Sequence, residues 1–282
     1  MPTASDIQIV TVAYNSTAVI GDMLASVPPG VQVVIVDNAS TDAQDLHALA
    51  ERHGARVVTN PDNLGFGVAC NLGAETGDST FLFFLNPDAQ MEEGCIEALI
   101  EADRAHPDGG AFSPQVLDGK GKPAFRRRSR LLPRSAYWSG PPPASDSAVP
   151  LLNGAAVFVR RGNFDRVGGF DPAIFLYHED DDLSLRLAAD CGPLWHVHGA
   201  VVRHAEGRST ARTPKTAAFK AYHMAQSAVY TMHKHGQPLA KPRMIAFALL
   251  QLLSPLTLLS ARKRAKNIGF LRGSLAATGH KD

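Results

Sequence analysis

The chain of 282 residues has little cysteine: Cys70, Cys95 and Cys191 are odd in number and far apart. They form neither a disulfide framework nor a zinc-binding spacing, which points to a reducing compartment. Net charge is nearly absent as well, with 28 Lys plus Arg against 27 Asp plus Glu giving +1. A general nucleic-acid binder carries a clear basic excess, so no nucleic-acid partner is expected. No basic segment followed by an apolar core and a small-residue cleavage site precedes the first strand-like run; Asp6 stands there instead, and the expected location is the cytoplasm. Long apolar runs are missing too. The longest, at 244–260, contains Gln251 and Pro255 and falls short of the about 20 residues of a membrane span, so it reads as an interfacial or buried helix. Disorder is excluded by the 45% of hydrophobic residues, and the length fits one large domain or two small ones.

What is present is alternation. The β-branched runs at 7–13 and 31–36 read as strands, each followed by turn residues. Between Asp42 and His53 the apolar residues Leu46, Leu49 and Ala50 fall at helical spacing, with Ser40 or Asp42 to cap the helix and Gly54 to end it. A short strand at 57–59, a helix over 65–75, a wholly apolar strand at 80–85 and an amphipathic helix over 92–105 continue the pattern. Such alternation implies right-handed βαβ units and the α/β class, with a mainly parallel central sheet and helices on both faces. After Val116 the pattern breaks. Asp118-Gly119 predicts a hairpin turn, and 125–149 is rich in Arg, Ser and Pro. A buried strand resumes over 151–160, a helix spans about 180–189, a strand covers 201–204, and helices follow from Pro214.

Ligands of a doubly wound sheet bind beyond the carboxyl ends of its strands. Polar clusters stand at four such ends: Tyr14-Asn15, Asp37-Asn38, Asn63 and Asn86-Pro87-Asp88. Asp and Asn are ordinary turn residues, but their succession points to a site. Asp88 follows the wholly apolar strand, where it either caps the helix beginning near Glu92 or holds a magnesium ion. That ion takes one or two carboxylates and completes its shell with water and phosphate oxygens. The run Gly65-Phe66-Gly67-Val68-Ala69-Cys70 lacks the third glycine of a dinucleotide fingerprint and follows the third strand, not the first. Its glycines are read as letting a helix pack closely beneath a nucleotide. The segment Glu179-Asp180-Asp181-Asp182 opens a helix whose Leu183 and Leu187 face the core. The helix macrodipole accounts for one or two acids there, not for four that repel and raise one another's pKa; one of them is a candidate general base. His204 is followed by Glu206-Gly207-Arg208-Ser209-Thr210, a cation and two hydroxyls suited to closing over a diphosphate.

Taken in order, these pieces resemble the family 2 glycosyltransferases of GT-A fold, in particular their rhamnosyltransferase-like branch. The resemblance runs from about Ile7 to Thr210, with a weaker echo in the helical tail. It rests on Thr11-Val12-Ala13-Tyr14-Asn15, Val36-Asp37-Asn38-Ala39-Ser40-Thr41-Asp42, Asn63-Leu64-Gly65-Phe66 and Leu85-Asn86-Pro87-Asp88. Gly168-Gly169-Phe170-Asp171, Glu179-Asp180-Asp181-Asp182-Leu183 and His204 through Ser209 complete it. Each piece is short; their order and spacing carry the specificity. The resemblance implies inverting, metal-dependent transfer of a sugar from a nucleotide diphosphate to a hydroxyl. Val12, Tyr14, Asn15, Asp37, Asn38, Asn63, Gly65, Asn86, Arg208 and Ser209 would bind the donor, with Tyr14, Asp37 and Asn38 on the pyrimidine and ribose. Asp88 and His204 would hold Mg2+ or Mn2+ on the diphosphate. Asp180 matches the general base, with Glu179 beside it. Many GT-A enzymes have Asp-x-Asp where this chain has Asn86-Pro87-Asp88; the Asn form is common in the rhamnosyltransferase-like branch and leaves one fewer anionic ligand.

The implied organisation is a GT-A catalytic domain over 1–212, with a donor half at 1–117 and an acceptor half at 118–212, followed by a helical extension over 213–282. The implied donor is a dTDP- or UDP-sugar, dTDP-L-rhamnose favoured, and the implied acceptor a glycan or a polyprenyl-diphosphate-linked sugar of cell-surface polysaccharide synthesis. The basic segment Phe125-Arg126-Arg127-Arg128-Ser129-Arg130 with Arg134 lies in the half where acceptors bind. The apolar run joined to Arg262-Lys263-Arg264-Ala265-Lys266 suits attachment to the anionic inner face of the cell membrane, or else a core or dimer helix. Two other functions compete. A sugar nucleotidyltransferase needs a glycine-rich basic loop after the first strand, where this chain has Tyr14-Asn15-Ser16-Thr17; a non-catalytic glycan or lipid binder would not need every catalytic position filled.

Overall fold

Alternate residues of the first strand face opposite sides, and that alternation builds two cores. In a computed structural model describing residues 3–204 and 213–278, β1 (Ile7–Ala13) is buried along its whole length. Ile7 and Ile9 enter one apolar cluster, Val10 and Val12 another. After β1 come α1 (Thr17–Ala25), β2 (Gln32–Asn38), α2 (Ala43–Arg52), β3 (Arg56–Asn60), α3 (Phe66–Ala74) and β4 (Phe81–Leu85). These strands lie side by side in the order β3-β2-β1-β4, all parallel, as the alternation predicts. Helix α1 was not legible in the sequence; the Asp42 carboxylate accepts from the Thr17 amide and caps it from the next loop.

The chain continues through β5 (Ala89–Met91), α4 (Cys95–Ala105), β6 (Ala111–Leu117), β7 (Ser147–Val149), β8 (Ala156–Arg160), α5 (Arg161–Arg166), α6 (Glu179–Asp190) and β9 (Leu194–His204). The same sheet, of nine strands, runs on through β8, β6, β9 and β5, with β7 beside β9. Here it is mixed rather than parallel: β8 runs antiparallel to β4 and β6, while β6 and β9 are parallel. The expected strand over 151–160 begins only at Ala156, because Asn153 takes the Ala155 amide on its side-chain oxygen and gives its own amide to the Ala124 carbonyl. Strand β6 was concealed by Pro114, which sits where its register with β9 shifts, as proline in a sheet requires. Helices α1, α2 and α4 cover one face with Ile20, Leu46 and Leu99; α3 and α6 cover the other with Cys70, Leu183 and Leu187.

The tail forms α7 (Pro214–Lys234), α8 (Ala240–Leu252), α9 (Pro255–Leu259) and α10 (Ala261–Ala276). It is bolted to the sheet domain by charge. Asp182, with its side chain 0% exposed, accepts from Arg186 on its own helix, from Lys234 of α7 at 2.8 Å and from His235 at 2.8 Å. Lys234 also reaches Asp171 at 2.6 Å, and the Tyr230 hydroxyl donates to the same carboxylate. Burial alone would raise the Asp182 carboxyl, but the hydrogen bonds from His235 and Lys234 and the charge of Arg186 outweigh it and hold it at about 2.

Breaking a buried pair by removing one partner costs about 3–5 kcal/mol, so Asp182→Asn is expected to destabilise the protein by about that amount at pH 7. The carboxyl is depressed on folding, so its contribution is complete above the ordinary 3.8 and lost as pH falls through about 2. Denaturant unfolding of both proteins should show the gap at pH 7 and its narrowing in acid; equal stabilities at pH 7 would contradict the clamp.

Candidate active site

The carboxyl ends of β1 and β2 present one exposed aromatic ring and a set of polar groups mostly spent on each other. Tyr14 is 42% exposed. Asn15, in the left-handed region at φ 54, accepts from the Thr41 amide and hydroxyl at 2.7 and 2.9 Å, so it stitches the two loops together. Asn38 is buried and fully committed. Its amide donates to the Asn63 side chain and the Gly65 carbonyl, and its oxygen accepts from the Asn60 side chain and the Leu64 amide. Its place is therefore a bracket behind the site and not a direct donor ligand. Val12 likewise lies in the core, 8% exposed. Asp37 differs: its Oδ1 accepts from the Ser40 amide at 2.9 Å, while Oδ2 is buried without a hydrogen-bond partner among the described residues. Such an orphan acceptor calls for an explanation, and a base N–H is one.

The glycines after Asn63 pack against protein. A Cβ on Gly65, at φ +86, would stand 2.4 Å from the Phe175 carbonyl oxygen, and one on Gly67 2.9 Å from the Phe170 side chain. The glycines thus let a helix pack closely, as expected: they bring α3 against the loop that leads into α6, and the Phe66 amide donates to Phe175 O at 3.1 Å.

Register places the next pair. Ala89 of β5 lies opposite His204 at the end of β9, so Asp88, one residue earlier, meets the histidine across the strands. His204 Nε2 stands 3.0 Å from Asp88 Oδ1 and 3.4 Å from Asn86 Nδ2. Both side chains are nearly enclosed, at 4% and 16% exposure. Lys220 of α7 adds a cation that the sequence gave no reason to place here: burial lowers its pKa, and the Asp88 charge pulls it back up. Among the described residues no group of three His, Cys, Asp or Glu could hold a metal. A carboxylate and an imidazole directed at one point nonetheless suit a divalent ion whose remaining positions belong to water and phosphate. Arg208 and Ser209 lie outside the described residues.

The four acids divide in two. Asp181 accepts from Arg126, from the Ser129 hydroxyl at 2.7 Å and from His178 at 3.4 Å, and Asp182 is the clamp to α7. Glu179 and Asp180 are left to line a cleft of about 650 Å³ together with Asn86, Arg126, His204 and Met224. Asp180 and His204, the hydrogen-bond partner of Asp88, thus line one cavity. Two successive residues before the acids, Tyr177 at φ 66 and His178 at φ 69, are left-handed, a conformation that costs a non-glycine residue about 1–2 kcal/mol and that aims the first turn of α6 into the cleft. Space for Asp180 comes from Gly154, where a Cβ would stand 2.8 Å from the carboxylate oxygen. Burial raises the Asp180 carboxyl, and Arg126 at 3.8 Å opposes that rise. Glu179 is pushed up to about 8 by burial and by the charge of Asp180. The guanidinium beside Asp180 favours the charge there and the proton on Glu179 at neutral pH. Of these contributors, Gly154, Met224 and Lys220 had no signal in the sequence, since none belongs to a motif.

Residues 8–166 match the model of the glycosyl transferase family 2. The chain is 31% identical over 261 residues to an N-acetylglucosaminyl-diphospho-decaprenol L-rhamnosyltransferase of Mycobacterium tuberculosis (strain ATCC 25618 / H37Rv), covering 81% of this chain and 84% of that protein. Among solved structures, the mannosyltransferase PcManGT from Pyrobaculum calidifontis, in complex with GDP-Man and Mn2+, superposes with a TM-score of 0.58 at 19% identity, covering 96% of this chain and 73% of that one. TarS 1-349 of S. aureus gives a TM-score of 0.56 at 14% identity, covering 96% and 90%. These two show a shared GT-A fold. With the family match across more than half of its length and a relative at this identity, the chain belongs to glycosyl transferase family 2.

Proposed function

We propose that this glycosyltransferase moves L-rhamnose from dTDP-rhamnose, with inversion, to a hydroxyl of a sugar carried on a polyprenyl diphosphate in cell-envelope polysaccharide synthesis. The observation that carries the reading is the single cleft bordered by Asp180 on one side and by His204, paired with Asp88, on the other. The relative's name supplies the sugar and the acceptor class; uracil and thymine offer Asp37 the same edge, so UDP-sugars stay in the test. Tyr14 is the face on which the base rests, and the orphan oxygen of Asp37 accepts from the ring N–H. Asn15 and Asn63 hold the loops that frame the base, and Arg208 and Ser209 follow His204 closely enough in sequence to reach the diphosphate. Asp88 and His204 would hold Mg2+ or Mn2+, which neutralises charge on the departing diphosphate. Asp180 takes the proton of the acceptor hydroxyl, its raised pKa making it a stronger base than an exposed aspartate. Glu179, protonated, is not a second nucleophile, so the acceptor attacks the donor directly from the face opposite the leaving group.

The surface of the tail supports work at a membrane. Leu250, Leu253 and Leu259 are 69%, 77% and 85% exposed, Arg262, Lys263, Arg264 and Lys266 are exposed beside them, and no helix among the described residues is long and apolar enough to cross a bilayer. An apolar ridge with a cationic flank rests on an anionic leaflet, each cation contributing about 1 kcal/mol. Full-length protein is expected to sediment with phosphatidylglycerol vesicles at low salt and to be released by Leu250→Ser/Leu253→Ser; wild type that ignores the vesicles would remove this part of the reading.

Nucleoside diphosphate release and sugar transfer, followed with a panel of nucleotide sugars and Mn2+, test the chemistry. Asp180→Asn should lower transfer by about 10²–10⁴-fold while still binding donor, and Asp88→Ala should fold normally yet lose most activity and the Mn2+-dependent share of donor affinity. Near-wild-type turnover in either variant would overturn the assigned role. Gly154→Ala, which pushes a methyl against Asp180, should cost about 10²-fold in kcat through misplacement of the base with donor binding intact; unchanged kcat would show that the base is elsewhere.

A further inference from the structure

The arginine-rich segment after β6 builds a second cleft, of about 870 Å³, bordered by Arg126, Arg127, Arg128, Arg130 and Arg134. It shares Phe125, Arg126, His178 and Asp181 with the catalytic cleft. Among the described residues, only Arg126 of its five guanidinium groups is paired with carboxylates, those of Asp180 and Asp181. Arg127 donates to the Gly140 carbonyl. Arg130 lies against Met244 Sδ and 4.4 Å over the Phe247 ring. Among the described residues Arg128 and Arg134 have no carboxylate within ion-pair distance, and both are exposed. The remaining acid of the lining, Asp181, is already satisfied by Arg126, Ser129 and His178. Like charges gathered around one cavity repel, and the fold offers them no anion. Planar guanidinium forks are the side chains best matched to phosphate oxygens.

What lies on either side of the cleft fixes its ligand. Toward the sheet is the base Asp180. Away from it, Met244 and Phe247 belong to α8, and that helix runs on to the exposed Leu249, Leu250 and Leu253. The surface therefore presents, in sequence, a proton acceptor, a ring of cations and an apolar ridge. A sugar on a polyprenyl diphosphate presents, in the same sequence, a hydroxyl, a diphosphate and a hydrocarbon chain.

We propose that the Arg127–Arg134 cleft binds the diphosphate of the acceptor, with its sugar toward Asp180 and its lipid along α8. This rests on the reading of the acceptor given above, and it adds the site and the residues that recognise it. The chemistry, a phosphate ester anion, is shared with anionic lipid headgroups, and the experiment separates the two.

The probe is water-soluble N-acetylglucosaminyl-diphospho-citronellol, titrated calorimetrically into the full chain beside citronellyl N-acetylglucosaminide, which lacks the diphosphate. Wild type should bind the diphosphate compound at least about tenfold tighter, with affinity falling as salt rises. Arg128→Gln/Arg134→Gln should weaken that binding about 10–100-fold, as expected for losing charge-assisted hydrogen bonds. The double variant should keep the wild-type melting temperature and the wild-type affinity for dTDP with Mn2+, since neither arginine has an ion-pair partner among the described residues. Equal affinity for the two compounds, or undiminished binding by the double variant, overturns the site. So does a double variant that loses only its adhesion to phosphatidylglycerol vesicles, because the arginines would then serve headgroups. Wild type that binds the diphosphate compound and transfers no sugar to it upholds the site while overturning the broader functional reading.

Discussion

Four adjacent carboxylates open one helix here because cations from elsewhere in the chain neutralise half of them. Asp182 is surrounded by Arg186, Lys234 and His235, and Asp181 by Arg126, Ser129 and His178. Without those partners the first turn of α6 would not tolerate Glu179 and Asp180 in a closed cleft, since an unpaired buried charge is among the most destabilising features a fold can carry. The same contacts dock α7 on the sheet domain, so the helical tail helps fix the first turn of α6. The separation of roles within the run follows from this distribution. Asp181 and Asp182 hold the structure, burial raises the Asp180 carboxyl against the opposing charge of Arg126, and Glu179 is pushed up to about 8.

The second constraint is strand register. Strand β9 is long enough to pair with β6, β7 and β5 in turn, and its far end carries His204 back across the molecule to Asp88. A slip of one residue would turn both side chains to the opposite face. The bulge at Pro114 and Gln115 takes up the mismatch along β6, leaving the pairing at Ala89 intact. Clamp and register meet in one cavity, which Asp180 and His204 both line. The arginine cleft opens beside it and shares Arg126, His178 and Asp181 with it.

Much of this was legible beforehand. The apolar alternation of β1 and β2, the continuous apolar β4 and the capped α2 are local signals, and local signals are what periodicity reports. Asp88, His204 and Asp180 stood out because short polar motifs at strand ends and helix starts mark sites in this class of fold. Other expectations were redirected. Asn38 has the residue type of a ligand but spends its hydrogen bonds on Asn60, Asn63, Leu64 and Gly65. Gly65 and Gly67 do let α3 pack closely, against the loop before α6.

The sequence by itself determined the βαβ first half, the family motifs and the positions of the candidate site residues. Tertiary structure alone decided which of the acids are tied up in ion pairs, that Gly154 clears space for Asp180, that Met224 of the tail lines the cleft, and that Lys220 feels the charge of Asp88. The reason is physical. Strand and helix formation depend on neighbours a few residues away, whereas a carboxylate's charge state depends on cations that arrive from more than fifty positions along the chain, as Lys234 does for Asp182.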